Sequence, residues 1–75
     1  MVTVTRQQSS RTFMVYGDGD EHSWCYEFPA NSHEPVLAET GAQWAGEVKP
    51  EDAERLTKAA RAAVIVTARQ MGIIP

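Results

Sequence analysis

"RTFMVYGDGDEHSWCYEF", residues 11–28, consists of two short runs dense in aromatic and β-branched side chains, joined by glycines and acids, and its reading decides the fold. Side chains of an extended strand alternate between its two faces. Phe13, Val15, Trp24 and Tyr26 therefore share one face, which Phe28 continues, while Thr12, Glu21, Ser23 and Glu27 occupy the other. That is the pattern of an antiparallel hairpin with one face wet. Between the runs, Gly17, Asp18 and Gly19 are residue types that tolerate positive φ in tight turns. With Asp18 and Gly19 as the central turn residues, Val15 faces His22, Phe13 faces Trp24 and Arg11 faces Tyr26; a four-residue loop would preserve the same parity.

Downstream, Pro50 suits a first helical position, and Glu51, Asp52 and Glu54 complement the positive end of a helix dipole. Lys58, Arg61 and Arg69 follow towards its negative end, and Gly72 is a natural stop. At about 100° per residue, Ala53, Leu56, Ala60, Ala63, Val64, Thr67 and Met71 form one stripe that should cover the apolar face of the sheet. Ile65 points the other way, into the face of Glu54, Lys58, Arg61 and Arg69. It reads first as a lone exposed apolar residue. With Arg61 and Arg69 it is the alternative contact surface for a partner or a second copy.

Upstream, "MVTVT" alternates, so a strand over residues 2–5 is expected with Val2 and Val4 on one face. Pro29 ends the second hairpin strand and "ANSHEP" is a loop by composition. Residues 29–49 read as irregular or short-strand, because Gly41 and Gly46 argue against a continuous helix. The expected architecture is one α+β domain spanning 1–75. Strands at about 2–5, 12–17 and 22–28, with at most one more, form a three- or four-stranded antiparallel sheet, and a long helix at about 50–71 packs on one face.

The bulk numbers narrow the function classes. A chain of 75 residues buries only a little over roughly 60% of its unfolded surface, which leaves no room for a deep substrate cavity. The single cysteine, Cys25, excludes an internal disulfide and a multi-cysteine zinc knot, and together with the lack of a signal-like or membrane-spanning apolar run it leads us to expect a cytoplasmic protein. All ten acids lie between Asp18 and Glu54, where Lys49 is the one base. Such an acidic middle disfavours nucleic acid as the direct ligand.

The hairpin itself carries no recognisable chemistry. Taking Asp18 as the start of a calcium loop puts Ser23 where glycine is needed and Pro29 where a bidentate glutamate is needed. His22 and Cys25 fall on opposite sides of a strand, so convergence with His33 on a transition metal is not expected. Cys25 as a nucleophile would need a base in reach and a pocket, and His33 could serve only by folding its loop back. No catalytic residue, metal or cofactor is expected. The acids have a different use: Asp18, Asp20 and Glu21 at the tip, joined by Glu34, Glu39 and Glu47, would present a negative surface to a basic partner.

The order strand, "GDGD", "WCYEFP", loop and "PEDAERLTKAARAAVIVTARQMGIIP" resembles the HicB-type antitoxin domain over about residues 12–75. That resemblance implies a partial RNase H-like sheet in an acidic antitoxin that masks a small basic ribonuclease. Short, acidic and without a catalytic signature, the chain is also similar, at the level of class, to phage-encoded inhibitors of bacterial defence, above all anti-CRISPR proteins. That class implies carboxylates standing in for phosphates in a basic groove, and it shares no motif from which residues could be carried over. The long connection from Pro29 to Pro50 puts the phage inhibitor first and the antitoxin second. A small cysteine-dependent enzyme and a dimeric structural domain follow.

Overall fold

Alternating burial turns residues 12–16 and 23–27 into the two central strands of a sheet. In the computed structural model, which describes residues 2–8, 10–17, 19 and 22–75, the strands are β1 (Thr3–Arg6), β2 (Thr12–Tyr16), β3 (Ser23–Glu27) and β4 (Val36–Gln43). They lie side by side in chain order, each antiparallel to the next. The one helix among the described residues, α1 (Pro50–Gln70), follows, giving the α+β class expected. At about 1.5 Å per residue its 21 residues span about 31 Å, close to the 35 Å long axis of the molecule.

The apolar face is as assigned: Phe13 and Val15 are 0% exposed, Trp24 1%, Tyr26 2% and Phe28 2%, while Glu21 of the other face lies outside the described residues. The register differs. Val15 pairs with Trp24, Phe13 with Tyr26 and Tyr16 with Ser23, and Gly17 N–H donates to the His22 carbonyl at 2.8 Å. The connection is therefore the four-residue one, residues 18–21, and the pairing is displaced by two from the tight-turn register. A displacement of two leaves each side chain on its own face, so hydrophobic alternation restricts the parity and is blind to this slip. Val4 pairs with Val15, extending the apolar face into β1.

The stretch that the sequence left open forms β4. Val36 and Leu37 pair with Glu27 and Tyr26, while Ala42 and Gln43 pair with Trp24 and Ser23. Between these ladders Cys25 of β3 stands opposite Ala38–Gly41, a bulge in which Gly41 has φ of 57°. Glycine reaches that conformation at no steric cost. The bulge also breaks the two-residue period inside the strand, which is why the sequence offered only the alternatives of a short strand around 36–39, one around 43–48, or neither. On the outer edge of the sheet it interrupts the flat ladder that another chain could join.

On the helix, Ala60, Val64 and Ala68 are 0% exposed, and α1 seats on β1, β2 and β3. The buried stripe lies about 45° around the axis from the expected one, at about 100° per residue. Ala68 is inside, Leu56 and Ala63 are half-buried, and Met71 is 49% exposed. Ile65, expected on the solvent side, is half-buried and packs against the core. The cause is polar. Burying Trp24 requires an acceptor for its indole N–H, and Thr57 Oγ1 supplies it at 3.1 Å, while the Thr57 carbonyl accepts the Tyr26 hydroxyl at 3.3 Å. Thr57 has to face the sheet, and the helix turns with it. Burial pushes the Tyr26 phenol above its usual value of 10.0, with the Arg61 guanidinium pulling weakly the other way.

Thr57→Val should therefore lower the unfolding free energy by about 1–2 kcal/mol, because it leaves the indole N–H without a partner. Urea unfolding measures this, and Thr57→Ser should recover most of it.

Pro50 opens the helix after Lys49, with Glu51 and Asp52 in the first turn. At the other end Ile73 N–H reaches the Ala68 carbonyl at 2.9 Å and Gly72 N–H the Arg69 carbonyl at 3.1 Å, with Gly72 at φ 76°. This Schellman turn sends the chain back so that Ile74, 4% exposed, closes the end of the core.

Candidate functional site

The acids expected to meet a partner fall into two groups. Asp18, Asp20 and Glu21 lie outside the described residues. Glu34 precedes β4, Glu39 sits in its bulge and Glu47 follows its end, and all three are exposed. Because β4 is an edge strand, these carboxylates line one margin of the sheet. Val36 and Leu37, 47% and 44% exposed, lie on the same margin.

The basic side chains are engaged elsewhere. Arg11 donates through Nε to the Phe28 carbonyl and through Nη2 to the Ser32 carbonyl, each at 3.1 Å, with its guanidinium 6.0 Å from the Phe28 ring centroid. It holds the loop after β3 in place. Arg55 pairs with Asp52, and Lys58 with Glu54, both at 3.5 Å on the exposed helix surface. Such pairs contribute only a few tenths of a kcal/mol. Arg69 donates to the Pro75 main-chain oxygen at 3.2 Å, and Arg61 is exposed on the helix. Ile65 is drawn towards the core, and the exposed large apolar residue within the helix is Val66, 52% exposed and three positions before Arg69. A shallow, open depression lined by Glu51, Glu54, Arg55 and Lys58 is formed by these solvated side chains.

Cys25 is half-buried on the sheet face away from the helix, opposite Met14. His33 is exposed in the loop before β4, and His22 stands at the start of β3. Among the described residues no three His, Cys, Asp or Glu side chains group closely enough to hold a metal ion. No helix is long and apolar enough to cross a membrane among those residues.

One cluster escaped the sequence reading. Trp44, just beyond β4, meets the His22 ring edge-on at 5.1 Å and the Trp24 ring at 5.5 Å and 88°. The Ala45 N–H donates to His22 Nδ1 at 3.2 Å. The visible signal was a tryptophan inside a segment of small and polar residues, the usual mark of an anchor. Comparison of the chain with protein-family models, with curated proteins and with solved structures returns no match.

Proposed function

We propose that the protein is a non-enzymatic binding module whose acidic margin occupies a basic, nucleic-acid-binding surface of a partner protein. The observation that supports this is the placement of Glu34, Glu39 and Glu47, exposed along the β4 margin while α1, which carries Arg55, Lys58, Arg61 and Arg69, seats on the other three strands. Carboxylates so arranged attract a surface built for phosphates and steer its approach. The tip acids Asp18, Asp20 and Glu21 belong to the same reading by sequence. A phage inhibitor of a defence complex and an antitoxin on a ribonuclease perform this one physical act on different targets, the first being the preferred reading.

The test is affinity capture from host lysate with the wild-type protein beside Glu34→Lys/Glu39→Lys/Glu47→Lys, in low and high salt and with a competing polyanion. A nucleic-acid-handling protein should be held by the wild type, released by salt and by the polyanion, and bound at least about tenfold more weakly by the variant, which is about 1.4 kcal/mol. Equal retention by both proteins would overturn the assignment. The identity of the captured protein separates the two targets.

A further inference from the structure

The cluster at His22 connects parts of the chain that are distant in sequence. Its Nδ1 accepts the Ala45 N–H at 3.2 Å, and its ring packs edge-on to Trp44 at 5.1 Å. Trp44 packs on Trp24, whose indole N–H is held by Thr57 of α1 at 3.1 Å. The hairpin end, the segment leaving β4 and the helix thus meet through one imidazole and two indoles. A backbone N–H can only donate, so the nitrogen facing it must carry a lone pair and the ring must be neutral.

We infer that His22 is a proton-sensitive latch that fastens the segment after β4, residues 44–46, to the hairpin, and that protonation of its Nδ1 releases the segment. A protonated imidazole carries N–H on both nitrogens, so the Ala45 contact turns from donor on acceptor into donor on donor. The ring's other described contact is the Trp44 indole, which does not titrate there. Glu47 is the carboxylate that follows the released segment, and Asp20 and Glu21 adjoin His22 in the chain. The helix presents Thr57 through Trp24, which leaves the Trp24 to Thr57 anchor intact when the latch opens. This inference does not depend on any partner.

The experiment is a proton–nitrogen correlation NMR titration of the whole chain from pH 8 to pH 5, the span over which an imidazole ordinarily takes up a proton. It follows the Ala45 amide, both indole N–H groups and the His22 ring Cε1 proton. The Ala45 amide and the Trp44 indole should move with the midpoint of the His22 ring. Ala45 amide exchange, corrected for its intrinsic pH dependence, should speed up by roughly tenfold as the bond is lost, while the Trp24 indole stays protected. In His22→Phe, which keeps a ring against Trp44 but has no acceptor, the Ala45 response should vanish and exchange should be fast throughout. In His22→Gln, which does not titrate but still offers an acceptor, it should be slow throughout. An Ala45 amide that ignores the His22 midpoint, or that titrates unchanged in His22→Phe, would overturn the latch.

Discussion

Phe13→Ala should lower the unfolding free energy by about 3–5 kcal/mol, the usual range for removing a buried aromatic ring. Phe13 is 0% exposed on the inner face of β2, pairs with Tyr26 across the sheet, and meets the Phe28 ring edge-on at 5.7 Å and 85°. Losing the ring removes its transfer free energy and leaves a void that the sheet cannot close, since its neighbours are backbone-paired on both sides. A domain of this size has a total stability of about 4–11 kcal/mol, so the substitution takes a large part or all of it. Urea unfolding followed by far-ultraviolet circular dichroism is the measurement. At roughly 1 kcal/mol per molar urea for a small domain, the midpoint should fall by about 3 M or disappear. A loss below about 1 kcal/mol would mean that the core is not centred on this hairpin.

Val64→Asp should leave the protein largely unfolded at neutral pH, whereas Val66→Asp, two residues on, should cost less than about 1 kcal/mol. Val64 is 0% exposed at the centre of the buried stripe, between Ala60 and Ala68. The change forfeits about 1.5–3 kcal/mol of side-chain burial and then requires either an unpaired buried carboxylate or its protonation, which costs several kcal/mol more. Val66 is 52% exposed, so its carboxylate remains hydrated. Burial would raise the carboxyl's folded value above its unfolded one, so the penalty at position 64 should ease as pH falls towards the ordinary carboxylate range and grow as pH rises. Comparing helical signal and urea midpoint for the two variants at pH 4.5 and 7 tests which face of the helix is buried, because equal losses would contradict the placement of Val64 inside and Val66 outside.

These two expectations rest on different kinds of legibility. Phe13 could be placed by pattern alone, since Phe13, Val15, Trp24, Tyr26 and Phe28 recur at a spacing of two and only one choice of face buries all five. The helix ends were equally open to reading, because proline at the start and glycine at the stop act through their own backbones, and Gly72 adopts the φ of 76° that a helix stop requires. The acids before and after β4 could be identified as surface residues, but their alignment along one margin could not.

What the sequence by itself determined is the class, the first three strands and the helix that ends the order, the dry face of the hairpin and the limits of the helix, all of which follow from local propensity and periodicity. The tertiary structure alone decided the hairpin register, the fourth strand, the rotation of the helix and the meeting of His22 with Trp44. Each depends on partners far apart in the chain. The register slip of two is invisible to a pattern of period two, and the bulge opposite Cys25 erases the alternation of β4. The rotation that draws Ile65 inwards is set by Thr57, which must face the sheet to accept the Trp24 indole, a demand that arises only once the two elements touch.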